Sequence, residues 1–191
     1  MGSVSEKIVQ NALFRHLQLK GGLLYIFPNI DTITGYEADL LAITRHGYAH
    51  EYEIKISLSD FRADLKKKHK HASLSGNTKT IPSPYYPAWG PETVYVMADT
   101  QKTGEYMLND ECFPENRPKY FWYVVAGFIP PINEVPVYAG LMTYNSENKI
   151  FECVKKAPVL PSKIVSPELI NKATKSMTFR YWDMRLRNAG N

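Results

Sequence analysis

Asp39, Glu53 and Lys55 are the residues whose types and spacing carry chemistry in this sequence. Asp39 lies in Glu37–Thr44, where Leu40, Leu41, Ala42 and Ile43 put apolar side chains on both faces, the pattern of a central strand. An unpaired carboxylate there costs roughly several kcal/mol, so Asp39 needs a partner. Glu53 and Lys55 stand two apart in His50–Ser57, where Tyr52, Ile54 and Ile56 alternate with Glu51, Glu53 and Lys55. Side chains alternate in a strand, so Glu53 and Lys55 share a face. A hairpin closing around Gly47 would make the two strands neighbours and let Asp39 and Glu53 converge. Two carboxylates at one point repel, and a hard divalent cation with oxygen ligands and retained waters reconciles them. A lysine beside such a cation orients a water or stabilises charge on a phosphorane-like transition state. Together they are the equipment for hydrolysing a phosphodiester. A competing acid-x-lysine, Asp64-Leu65-Lys66, falls on a predicted helix, where residues two apart point about 200° from each other and cannot share a site.

These residues need elements to hold them. Ser3 and Ser5 are both able to cap a helix in which Ile8, Val9, Ala12, Leu13, Leu17 and Leu19 recur with helical spacing, and Gly21-Gly22 stops it. Leu23–Phe27, Glu37–Thr44 and His50–Ser57 are three predicted strands. Ser57-Leu58-Ser59-Asp60 resembles a capping box for a helix with Leu58, Phe61 and Leu65 inward and a basic end, Lys66 to His71. The stretch from Ala72 to Pro91 is rich in proline and reads as a long loop. Thr93–Ala98 reads as a parallel strand reached from the third strand through that helix. Phe121–Phe128, Val137–Met142 and Ile150–Val154 are further strands, and Pro167–Arg187 is a closing helix. The order predicts an α/β fold, a mixed sheet flanked by helices.

At 191 residues with 44 % hydrophobic and 22 % charged side chains, the chain suits a single well-cored domain and excludes a disordered or fibrous protein. The longest apolar stretch, Phe121–Ile129, is about half of the roughly twenty residues a spanning helix needs, so no membrane crossing is expected. The N-terminus lacks the halves of a signal peptide, and Cys112 and Cys153 are too few for a disulfide framework. A cytoplasmic location is the expectation. The net charge of +4 says nothing as a total. Resolved along the chain, it is concentrated in Lys66 to His71 and in Lys163 to Arg187, where six basic residues face two acidic ones.

Asp39-Leu40-Leu41-Ala42-Ile43, a glycine-bearing turn and Glu53-Ile54-Lys55-Ile56-Ser57 resemble the core of the PD-(D/E)XK nuclease superfamily. The segment Ser57-Leu58-Ser59-Asp60-Phe61-Arg62-Ala63-Asp64 with Lys66 is similar to MmcB-type DNA-repair proteins and related phage-borne nuclease-like proteins. The close match covers residues 37 to 71. The resemblance implies a restriction-endonuclease-like core of helix, three-stranded meander, helix and parallel strand, followed here by additional strands and the closing helix. It implies a DNA endonuclease dependent on Mg2+ or Mn2+, at work in DNA repair, recombination or phage DNA processing. Asp39 and Glu53 would bind the metal with the Ile54 carbonyl as a further ligand, and Lys55 would be the catalytic lysine. Glu6 is the candidate for the glutamate many members supply from the first helix; an acid favoured by the helix dipole is an equally good reading of it. The proline that names the motif is absent, Ala38 standing before Asp39.

Ser57 and Arg62, with Lys66, Lys67, Lys68 and Lys70, are the candidates to meet a DNA backbone, although a charge run is as often a solvated helix end. Tyr85, Tyr86 and Trp89 beside Lys79 suit stacking on bases or, more simply, packing of the loop. His46, His50, His69 and His71 read as surface histidines, and Asp64 as an acid pairing with Lys68 at i,i+4. DNA is thus the expected partner, and a homodimer would be a simple way to cut two strands. A noncatalytic nucleic-acid-binding module on the same fold and an RNA-directed nuclease stay open beside this reading.

Overall fold

The structure, a computed structural model, describes residues 4–32, 36–75, 78–81, 94–97 and 117–189. In chain order these form α1 (Glu6–Lys20), β1 (Leu23–Asp31), β2 (Glu37–Thr44), β3 (Ala49–Lys55), α2 (Leu58–Asp64), α3 (Lys68–Ser75), β4 (Thr78–Ile81) and β5 (Val94–Met97). They continue with β6 (Tyr120–Ala126), a 3-10 turn (Ile132–Glu134), β7 (Ala139–Asn145), β8 (Ile150–Lys155) and α4 (Pro167–Ala189). Six strands make an open mixed sheet in the order β1-β2-β3-β6-β7-β8, and β4 and β5 pair separately. β1, β2 and β3 form the antiparallel meander, β6 and β7 run parallel to β3, and β8 returns antiparallel on β7.

Strand alternation sorts the core into two layers. Leu40, Ala42, Tyr52, Ile54, Val124 and Ala126 face α1, which lays Val9, Leu13 and Leu17 on them. Phe121, Tyr123, Val125 and Leu141 face the other way and pack with Phe61 of α2 and Leu74 of α3. On that same face Leu41, Ile43 and Phe27 pack with Ala173 of α4. The i, i+4 stripe of Val9, Leu13 and Leu17 is buried, whereas Ile8 and Leu19 fall off it and are exposed. Ser5 caps α1 by accepting the Ile8 N–H.

The hairpin between β2 and β3 closes as its glycine requires. Gly47 has φ +80°, and a Cβ there would stand 2.6 Å from a methyl group of Ile164. Thr44 and Tyr48 pair across the turn, with the Thr44 N–H 2.9 Å from the Tyr48 carbonyl.

Two expectations are corrected. Val94–Met97 does not extend the main sheet but pairs with β4, and the parallel neighbour of β3 is β6. Both segments are apolar, and periodicity alone does not rank them; β6 is longer, and its alternate residues lie in both layers of the core. The predicted basic-ended helix is two helices, and α3 with β4 extends into the stretch read as loop. Tyr85, Tyr86 and Trp89 lie outside the described residues. Beyond Met177 every described side chain of α4 is exposed, including Phe179, Trp182 and Leu186. Among the described residues no helix is long and apolar enough to cross a membrane.

Candidate active site

Register brings the predicted residues together. Leu41 lies opposite Glu51 in the β2–β3 pair, and one further step of two places Asp39 opposite Glu53. The pairing stops before that step, at Leu40 and Tyr52, and the Ile54 N–H donates instead to Oδ2 of Asp39 at 2.6 Å. Ile54 thus enters the site through its amide. Its side chain is buried on the α1 side. Gln10 of α1 donates to the Asp39 carbonyl at 2.7 Å and to the Asn29 side chain at 2.7 Å, which ties the first helix to this end of the sheet.

The charged face of β3 is interior, not solvated. Glu51, Glu53 and Lys55 expose 1 %, 3 % and 7 % of their surface. Lys55 Nζ lies 3.2 Å from Glu53 Oε2 and 3.8 Å from Asp64 Oδ1. Lys70 Nζ lies 2.7 Å from Glu53 Oε1 and 3.2 Å from Asp64 Oδ1. Four buried charges therefore alternate around a ring: Glu53, Lys55, Asp64, Lys70. Asp64 is its anchor, also accepting from the Tyr123 hydroxyl at 2.8 Å and pairing with Lys67 at 2.8 Å. His71 bridges the Asp64 carbonyl and the Tyr138 hydroxyl.

Charge states follow from these contacts. Burial pushes the Asp39 carboxyl up to about 7, helped by Glu53 and, more weakly, Glu6, against the Ile54 N–H and Lys55. Burial alone would pull Lys55 down, but Glu53, Asp64, Asp60 and Asp39 outweigh it and the net shift is upward. Asp64 is buried too, yet Lys70, Lys67, Lys55 and Tyr123 hold it well below the usual carboxylate range. Glu51 has no such company. Burial takes it to about 8, the Thr32 hydroxyl and Lys70 oppose this only partly, and its Oε1 has no hydrogen-bond partner among the described residues.

No described protein family matches the sequence, and no curated protein does. Among solved structures the chain is similar in fold to SPO1766, a protein of unknown function from Silicibacter pomeroyi, with a TM-score of 0.54. The likeness covers 93 % of this chain and 88 % of that one at 16 % identity, and it is a likeness of fold alone.

The remaining candidates are distributed unevenly. Glu6 is exposed on the first turn of α1, within electrostatic reach of Asp39. Ser57 caps α2 by accepting the Asp60 N–H. Arg62 is exposed and bidentate on Glu134. Lys66, Lys67 and Lys68 are exposed, but Lys70 is not: at 1 % exposure its ammonium belongs to the ring and does not reach a solvent-borne phosphate. Asp64 pairs with Lys67 and Lys70, not with Lys68 as spacing suggested, because the chain turns between α2 and α3 and rotates Lys70 inward. His71 is half-buried in its hydrogen bonds. His50, also half-buried, is driven down to about 4 by burial and by Lys119; neither is the surface histidine expected. His46 is exposed. The signal for Lys70 was its i, i+4 spacing to Leu74, which places it on the buried face of α3; the surrounding run of lysines and histidines hid it.

Among the described residues no three His, Cys, Asp or Glu side chains are grouped to hold a metal ion by themselves. The donors that do converge, Asp39 and Glu53, are hard oxygens, and their mutual repulsion is part of what raises Asp39. That set fits a cation such as Mg2+, which binds through one or two carboxylates and completes its shell with water and substrate phosphate oxygens.

Proposed function

We propose that the chain is a metal-dependent nuclease of the PD-(D/E)XK type, hydrolysing phosphodiester bonds in DNA. One observation carries the reading: Asp39, Glu53 and Lys55 meet on one face where β2 and β3 part, with Asp39 locked by the Ile54 N–H. The restriction-endonuclease-like description of the core, DNA as partner, and Mg2+ or Mn2+ as cofactor all belong to this proposal. A divalent ion would supply Lewis-acid activation of the phosphate and of a water. Asp39 and Glu53 would hold it. Lys55, kept charged by the four carboxylates around it, would orient the attacking water and offset charge building on the phosphorus oxygens. Exposed Lys66, Lys67 and Lys68 lie on and beside the turn after α2 and supply backbone contacts that carry no sequence information.

The ion-pair ring gives a second reading a footing. Glu53 is engaged through both oxygens and Lys55 through two acids, which a purely structural network would also show. A noncatalytic nucleic-acid module would then bind DNA or RNA with no divalent-ion requirement. Incubation with single-stranded, duplex, nicked, flapped and four-way DNA, and with RNA, plus Mg2+ or Mn2+ separates the readings. Cleavage in wild type that falls at least about a hundredfold in Lys55→Ala supports the nuclease. Equal cleavage by both proteins, or none on any substrate, removes the catalytic assignment.

A further inference from the structure

The Lys70 ammonium is held as a metal ion is held. Glu53 Oε1 stands 2.7 Å from it, the two oxygens of Asp64 stand 3.2 and 3.3 Å away, and the ring of Phe121 lies 5.4 Å off as a further, weakly attractive wall. Lysines are almost never fully buried unless paired, and this one, at 1 % exposure, is paired with two acids. Its position is built into the chain: α2 ends at Asp64, the backbone turns through Leu65 to Lys67, and α3 begins at Lys68 so that Lys70 points back at the residue that closed α2. Tyr123, reaching from β6, fixes the same carboxylate from the far side.

Glu53 and Asp64 share one cation, the arrangement that a second divalent ion would occupy in a site using two. We infer that Lys70 is a built-in counter-cation standing in that place, so that the site admits a single divalent cation, on the Asp39 side of Glu53. The inference deepens the nuclease reading and rests on it for that one ion; the role of Lys70 itself rests only on the ring. Lys55 reinforces the exclusion, because it reaches Asp64 at 3.8 Å, so that a further ion between Glu53 and Asp64 would lie between two ammonium groups. Replacing Lys70 by a short neutral side chain removes the ammonium, leaves Glu53 and Asp64 facing an open volume, and creates the second cation position.

The test counts Mn2+ by calorimetry and electron paramagnetic resonance in wild type, Asp39→Asn and Lys70→Ser, and follows melting temperature with and without Mn2+. Wild type should bind one Mn2+ per chain and lose it in Asp39→Asn. Lys70→Ser should bind one more than wild type, and its melting temperature, lowered in chelator, should rise with saturating Mn2+ by about 5 °C more than that of wild type. Two ions in wild type overturn the inference, as does a Lys70→Ser protein that gains no ion or whose folding Mn2+ does not restore. A wild type that binds no Mn2+ removes the nuclease reading instead, while a single ion gained by Lys70→Ser would still establish Lys70 as the resident cation.

Discussion

Replacing Glu51 by glutamine should favour the variant over wild type increasingly as pH rises. Glu51 is 1 % exposed, one of its oxygens has no partner among the described residues, and burial lifts its carboxyl from 4.5 to about 8. In the unfolded chain the group ionises near 4.5, whereas in the folded protein it keeps its proton until about pH 8. The folded state therefore binds the extra proton between these values, and stability contributed by neutral Glu51 is full below pH 4.5 and lost as pH rises through 8. At roughly 1.36 kcal/mol per unit, the loss is about 3 kcal/mol at pH 7 and about 5 above pH 8. Glutamine has nothing to titrate. Its amide brings buried N–H groups whose cost, about 1–3 kcal/mol, does not change with pH. The informative quantity is therefore the slope. Urea denaturation of both proteins in chelator, at half-unit steps from pH 5 to 8.5, should show the variant gaining on wild type at every step, by roughly 3 kcal/mol or more across the range. Parallel curves would refute the reasoning and mean that Glu51 is ionised in the folded protein and compensated by Lys70.

Three further outcomes follow from the same contacts. Tyr123→Phe removes a 2.8 Å hydrogen bond to the buried Asp64 carboxylate and should cost about 1.5–3 kcal/mol by urea denaturation; a loss under about 0.5 would show that the lysines alone hold Asp64. Gly47→Ala combines a positive φ with a Cβ 2.6 Å from Ile164 and should destabilise more than Gly127→Ala, where φ is equally positive and nothing lies within 4 Å; equal melting temperatures for the two variants would dismiss the packing contact. His50 stays neutral in the fold down to about pH 4 while the unfolded chain takes up a proton below about 6.5, so its contribution is present above 6.5 and drains away as pH falls towards 4. His50→Phe should flatten the melting temperature over that window, and an unchanged acid slope would assign the effect elsewhere.

Much of this architecture is legible in the linear chain because local rules decide it. Ser5, Gly21 and the spacing of Val9, Leu13 and Leu17 define α1, and Gly47 defines the hairpin. Once that hairpin is assumed, strand alternation is enough to bring Asp39, Glu53 and Lys55 together, since a period of two leaves each residue a single face. Apolar content on both faces of β2 and β6 marks them as interior strands.

What the tertiary structure alone decided is which neighbour each charge meets. Lys66, Lys67, Lys68 and Lys70 form one basic run in the sequence, yet three are exposed and the fourth is buried, because the turn between α2 and α3 changes the direction in which side chains point. Asp64 looks like a helix acid with a local partner, and becomes the anchor of the site only when β6, fifty-nine residues on at Tyr123, is laid beside β3. That β6 takes this place depends on how its alternate residues fill the two layers, a property of the assembled sheet. Helix caps, turns and alternation act over a few residues and can be read along the chain; a buried charge is stable only if distant segments deliver its counter-charge, and that delivery is a property of the fold.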